Sequence, residues 1–245
     1  MFSSIQLDDA SERGVLEAKD TVTYGGISLK TVLLLALTVI SGALCMSGII
    51  PTNLVFGLLM GSVFGGVLFV LLGTLVPGAA MVCAILYSIC EGAFLGLLSA
   101  LFELEYPGIV SGAVICAVVV FGVMLFLYSM GIVRVGGKFR RFMLIAGISL
   151  MVFYGIMGVG VAFGWTIALE FSGTGPLGLL LTIFLVLYGA FMLLFDFDRA
   201  TFYVDSQAPK KYEWTCAFAL MLDVIYIYIE VLRLLAIIAS RAKDN

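Results

Sequence analysis

The chain has 245 residues, of which 62% are apolar and 12% are charged, and its formal net charge is −3. Soluble globular chains are about 45–50% apolar and about 25% charged, so this composition indicates an integral membrane protein. The sequence contains no histidine, which excludes histidine-based catalytic triads and histidine-ligated zinc sites. We expect no enzymatic activity, no resident cofactor and no nucleic-acid partner.

Seven continuous apolar segments predict seven transmembrane α-helices, because about 20 apolar residues are needed to cross the hydrocarbon. Residues 1–30 are polar and predict a cytoplasmic N-terminal segment ahead of a transmembrane domain over residues 31–245. The predicted fold class is therefore an all-α, seven-helix transmembrane bundle. Its segments are 31–48, 53–76, 79–101, 109–130, 142–164, 176–197 and 214–239.

The distribution of lysine and arginine predicts the orientation, because cytoplasmic connections carry an excess of both. With the N-terminus inside, ten of these residues lie in cytoplasmic pieces and two, Arg241 and Lys243, lie outside. We therefore expect a multi-pass protein with a cytoplasmic N-terminus and an external C-terminus. The ten are Arg13, Lys19, Lys30, Arg134, Lys138, Arg140, Arg141, Arg199, Lys210 and Lys211.

Glycines spaced by four predict that helix backbones approach closely in lipid. We interpret them as packing within the bundle rather than as a dimerisation face. The pairs are Gly61/Gly65, Gly92/Gly96, Gly108/Gly112 and Gly160/Gly164.

Ionisable residues inside the apolar segments are the candidates for function. A charge at the centre of a membrane helix costs about 2.5–3.5 kcal/mol on insertion scales, which favours residues that are paired or used. The candidates are Glu91, Asp196, Asp223, Glu230 and Arg233, with Asp198 nearer the end of its segment.

Asp196 and Asp223 are matched in depth. Asp196 lies thirteen residues before Pro209, at the centre of the last connection, and Asp223 lies fourteen residues after it. In an antiparallel helix hairpin the two carboxyl groups can therefore face each other in the cytoplasmic half of the membrane. Asp198 is an alternative pair member, but it points about 200° away from Asp196, and Asp196 is the deeper of the two. The alternative is that the two acids are unrelated and each is bonded to its own surroundings.

Two neighbouring carboxylates in a medium of low dielectric cannot both ionise cheaply, so they are expected to share a proton. When both are ionised they form an oxygen-rich site that suits Ca²⁺. We expect Asp196 and Asp223 to sense protons and to meet this ion.

Three other candidates have a possible role along a permeation path. Glu91 is interpreted as a relay or second cation ligand, the alternative being a protonated acid bonded to Ser88 or a tyrosine. Glu230 and Arg233 are three residues apart, the spacing of an ion pair within a helix. We interpret them mainly as mutually neutralising, although both can line the same aqueous cavity as Asp223.

Polar stretches at fixed places along the chain carry a resemblance to a known family. They are Asp196-Phe-Asp198-Arg199, Leu222-Asp223, Glu230-Val-Leu-Arg233, Glu91-Gly-Ala-Phe-Leu-Gly96 and Tyr106-Pro-Gly-Ile-Val110. In these stretches, and over residues 22–239, the chain resembles the transmembrane Bax inhibitor motif family, most closely its bacterial YccA-like branch.

The resemblance implies six helices around a central one, and a pH-sensitive Ca²⁺ leak through a bacterial inner membrane. The aspartyl pair that governs the leak maps onto Asp196 and Asp223. Some members also carry an arginine on the second span, but residues 53–76 contain no charged residue here, and Arg233 is a candidate substitute. The alternative function, also implied by the resemblance, is a non-conducting regulator that binds membrane proteases or other membrane proteins through residues 1–30.

Overall fold

The computed structural model describes residues 21–47, 51–133, 135–164 and 175–244. These residues form seven long α-helices and a 3-10 turn over Pro77–Ala79, and the described ranges contain no β-strand. The all-α prediction is therefore confirmed. The helices are α1 Tyr24–Met46, α2 Thr52–Leu75, α3 Ala80–Glu105, α4 Ile109–Ser129, α5 Gly137–Ala162, α6 Pro176–Asp205 and α7 Tyr212–Asp244.

Six helices, α1 to α6, are long and apolar enough to cross a membrane. Helix α7 coincides with the seventh predicted segment and has 33 residues, but it is not one of these six. It is instead the most enclosed helix, since no residue from Tyr212 to Ile237 is exposed.

The ends of several helices differ from the predicted ends, because these helices continue past the apolar segments into polar residues. Helix α1 begins at Tyr24 rather than at residue 31, since Thr23 adopts an extended conformation and its hydroxyl accepts a hydrogen bond from the Gly26 amide at 3.0 Å. Likewise, α6 continues to Asp205 instead of ending at residue 197. Hydropathy marks the part of a helix that lipid covers, whereas capping groups mark where the helix ends.

The described residues form two compact units. The first is drawn from residues 1–96 and 199–221, and the second from residues 97–198 and 222–245. Helices α3, α6 and α7 contribute to both units. In the first unit Phe218 of α7 is 2% exposed and meets the Tyr87 ring edge-on at 5.4 Å between centroids. In the second unit, α7 contributes Ile227, which is fully buried.

One glycine pair makes a close helix crossing inside the first unit. A Cβ atom on Gly96 would lie 2.7 Å from the Gly42 Cα, and one on Gly92 would lie 2.8 Å from the Ser41 Cβ. Gly61, by contrast, has open space around it. The Gly92/Gly96 pair therefore packs α3 against α1 within the chain, as the packing interpretation predicted.

Candidate functional site

The candidate site is centred on two carboxyl groups in the second unit. Asp196 lies on α6 and Asp223 lies on α7, and a side-chain hydrogen bond joins them. Asp223 is 8% exposed, and its Oδ2 atom is buried with no hydrogen-bond partner among the described residues. A hydrogen bond between two carboxyl groups needs a proton on one of them. The structure thus brings together the two acids that depth matching paired.

Asp198, the alternative pair member, lies on a different side of α6. Its side chain is exposed, whereas Asp196 is half-buried. Residues two apart on a helix point about 200° away from each other, so the helix that turns Asp196 toward Asp223 turns Asp198 away. Asp196 is therefore the member of the pair.

One face of α7 carries the other ionisable candidates of this unit. Asp223, Tyr226, Glu230 and Arg233 follow each other at intervals of three or four residues, which places them along one stripe of the helix. Glu230 is 8% exposed and lies close enough to Arg233 for their charges to interact. Its Oε2 atom is buried with no hydrogen-bond partner among the described residues. Glu230 therefore keeps an unused acceptor oxygen beside Arg233.

Three tyrosines that were not predicted as site residues connect this stripe to α5 and α6. Tyr188 of α6 lies close to Asp223, and Tyr154 of α5 makes a side-chain hydrogen bond with Arg233. Tyr226 lies close to both tyrosines. Only Tyr226 could have been predicted from the sequence, since it lies three residues after Asp223 on the same face of the helix.

Two glycines make room for these tyrosine side chains. A Cβ atom on Gly189 of α6 would lie 2.7 Å from the Tyr226 ring, and one on Gly147 of α5 would lie 2.7 Å from the Tyr188 hydroxyl. Both distances are too short for real carbon contacts. The tyrosines are therefore positioned by the absence of side chains at these two places.

Glu91, the candidate relay, belongs to the first unit. It is half-buried on α3 and makes a side-chain hydrogen bond with Tyr87, one turn earlier on the helix. Ser88, the other predicted partner, donates instead to the Ala84 carbonyl at 2.7 Å. The hydrogen bond with Tyr87 therefore joins Glu91 to a residue of its own helix.

A second buried acid, Glu213, lies at the start of α7 in the first unit. It is fully buried, forms an ion pair with Lys30, and accepts hydrogen bonds at 3.0 Å from both the amide and the hydroxyl of Thr23. Burial raises the pKa of Glu213. The hydrogen bonds from Lys30 and Thr23, together with the charge of Lys30, outweigh the effect of burial, so the pKa lies below its ordinary value. The sequence does not predict this ion pair, because 183 residues separate Lys30 from Glu213.

Within residues 21–47, 51–133, 135–164 and 175–244, no group of three or more histidine, cysteine or acidic side chains is arranged to hold a metal ion. The Asp196–Asp223 pair presents two carboxyl groups, whereas Ca²⁺ usually takes six to eight oxygen ligands, so the pair alone would not complete the coordination of such an ion. Water and backbone oxygens would therefore supply most of the ion's coordination.

Comparison with known proteins adds one match. The model of the family described as Bax inhibitor 1 like matches residues 4–240, which is nearly the whole chain. No curated protein and no solved structure matches the chain.

Proposed function

This chain belongs to the Bax inhibitor 1 like family, and we propose that it is a pH-sensitive calcium leak channel, without enzymatic activity, of a bacterial inner membrane. The observation that carries the proposal is the hydrogen-bonded acid pair of the half-buried Asp196 and the buried Asp223. A residue that is costly to place among apolar helices is typical of a functional site in a membrane protein.

The proposed gate opens when both carboxyl groups lose their proton. With one proton present, the shared hydrogen bond holds α6 and α7 together at Asp196 and Asp223. With none, two negative charges about 4 Å apart repel each other by roughly 4 kcal/mol at an effective dielectric constant of 20. A repulsion of this size shifts a two-state equilibrium by about a thousandfold, which is enough to separate the two helix segments.

The loss of this proton also increases the attraction of the Asp196–Asp223 pair for Ca²⁺. Two ionised carboxylates attract a hard divalent cation such as Ca²⁺, whereas the protonated pair carries a single charge. Glu230, with its unused acceptor, provides a second negative group on the α7 stripe, and Arg233 limits its attraction for cations. Glu91 is proposed to contribute to ion permeation.

The test is Ca²⁺ flux into proteoliposomes that contain the purified protein, measured across pH. We expect wild-type flux to rise as the pH increases. Asp223→Asn and Asp196→Asn should each lose this pH dependence, because only one ionisable group of the pair remains. Asp198→Asn is the matched control, since it removes an exposed acid two residues away and should keep the wild-type profile. Identical pH profiles for all four proteins would contradict the gating mechanism.

The alternative function is that of a non-conducting regulator that binds membrane proteases or other membrane proteins. Its predicted contact, residues 1–30, lies mostly outside the described residues. Purified protein that conducts no Ca²⁺ at any pH, together with protease capture that requires residues 1–30, would replace the channel proposal with this one.

A further inference from the structure

A cavity in the first unit combines positive charge with apolar surface. Its volume is about 390 Å³. Its lining comes from the first two turns of α1, the turn between α2 and α3 with the start of α3, and the connection between α6 and α7 with the start of α7. The lining residues are Lys30, Gly78, Met81, Lys210, Lys211 and Trp214.

The charge of this cavity is strongly one-sided. Three of its six lining residues are lysines, and none is acidic. Glu213, next to Trp214 in the chain, is fully buried and already paired with Lys30. Lys210 and Lys211, both exposed, therefore add two positive charges to a lining that contains no acid.

The apolar part of the lining is of the kind found at a membrane surface. Tryptophan is enriched at the boundary between lipid and water, and Trp214 lies beside Lys30, whose ammonium group is 5.2 Å from the ring centroid. Met81 is 48% exposed, and its neighbour Val82 is 59% exposed. An occupant of this cavity would meet ammonium groups and an apolar surface together, as an amphiphile with an anionic head group does.

We propose that this cavity binds a phosphate ester, and that its source is the head group of an anionic phospholipid. Lysine is a point-charge phosphate binder, and basic pockets at the ends of membrane helices bind anionic head groups. The exposed Met81 and Val82 favour a lipid over a free phosphate compound, since acyl chains would cover them. This site is separate from the Asp196–Asp223 pair and does not depend on ion conduction.

The test compares two double variants that remove the same charge. Lys210→Gln with Lys211→Gln alters the cavity, whereas Lys138→Gln with Arg141→Gln alters another exposed basic stretch, at the start of α5. Lys30 stays in place in both, so that Glu213 keeps its partner. Binding of phosphatidylglycerol is measured by native mass spectrometry of the detergent-solubilised protein. Phosphatidylcholine, which is zwitterionic and has no net charge, is the comparison lipid, and glycerol phosphate is the competitor.

We expect phosphatidylglycerol affinity to fall about fivefold for each cavity lysine removed, and about 25-fold for both. The α5 variant should bind like the wild type, and phosphatidylcholine binding should be weak in all three proteins. Equal losses in both variants, or no loss in the cavity variant, would overturn the site. Glycerol phosphate that displaces the lipid at equal concentration would overturn the assignment of a lipid as the source.

Discussion

The buried ion pair at the start of α7 provides a quantitative test of the electrostatics of the fold. Replacing Glu213 by glutamine removes the charge that Lys30 faces, while the amide oxygen can still accept from Thr23. The matched control is Glu105→Gln. Glu105 also pairs with a lysine, Lys243, at 3.1 Å, but the two side chains are 65% and 58% exposed.

The two variants should differ severalfold in their effect on the free energy of unfolding. Removing one member of a buried ion pair costs about 3–5 kcal/mol. The Lys30 side chain is 18% exposed, so part of its charge can be solvated, and we expect a loss of about 2 kcal/mol for Glu213→Gln. For a chain of this size that corresponds to a Tm lower by about 4–8 °C. Glu105→Gln should cost less than about 1 kcal/mol, because exposed pairs contribute little.

The pH dependence of this difference follows from the pKa of Glu213. Because its folded-state pKa lies below its ordinary value of 4.5, the unfolded chain takes up the proton first as the pH falls. The stabilisation by Glu213 is thus complete above the ordinary value and is lost as the pH falls through the folded-state value. The Tm gap between wild type and Glu213→Gln should therefore be constant near neutral pH and close in acid.

The assay is thermal unfolding of the detergent-solubilised proteins, followed by intrinsic fluorescence over a series of pH values. The Glu105→Gln protein serves as the reference at each pH. A Glu213→Gln protein as stable as the Glu105→Gln protein at neutral pH would refute this reasoning. A gap that widens in acid would show that the sign of the pKa shift is wrong.

Three further predictions concern packing, hydrogen bonding and orientation. Gly96→Ala should destabilise the protein by about 1–3 kcal/mol in thermal unfolding, because the new Cβ meets the α1 backbone. The control Gly61→Ala has open space around the new Cβ and should be neutral or slightly stabilising. Equal effects of the two substitutions would contradict the close crossing of α3 and α1. The Ser99–Tyr228 hydrogen bond of 2.7 Å should give a coupling energy of about 0.6 kcal/mol in a double-mutant cycle with Ser99→Ala and Tyr228→Phe, and zero coupling would contradict it. Reporter fusions should place the N-terminus in the cytoplasm and the C-terminus outside, and both termini on one side would refute the predicted topology.

The transmembrane helices could be predicted from the sequence because lipid imposes a simple demand. A spanning helix needs a long apolar run, so the runs identified each of the seven long helices that the structure describes. The ends of the helices could not be predicted in the same way. The early start of α1 depends on the Thr23 cap, and the later end of α6 at Asp205 lies in a polar sequence that hydropathy does not register.

The acid pair could be predicted because only two helices and one connection were involved. Nearly equal distances from Pro209, thirteen and fourteen residues, place Asp196 and Asp223 at similar depth whenever α6 and α7 are antiparallel neighbours. The pairing of Lys30 with Glu213 could not be predicted from the sequence, since it depends on how the first and last helices pack against each other.

The contacts of the tyrosines and glycines between helices could not be predicted from the sequence either. Tyr154 and Tyr188 reach the α7 stripe from α5 and α6, and no spacing within one helix indicates such a contact. A glycine spacing of four likewise indicates that a close approach is possible, but not which helix makes it. Gly92 and Gly96 meet α1, whereas Gly61 meets nothing within 4 Å.

The most direct test of the acid switch is the separation of the Asp196 and Asp223 carboxyl groups in structures determined at acidic and at alkaline pH. We expect a hydrogen-bonded pair in acid and, in alkali, two carboxylates that have moved apart together with the helix segments that carry them. Carboxyl groups that keep the same hydrogen-bonded distance at both pH values would contradict a gate that protons control.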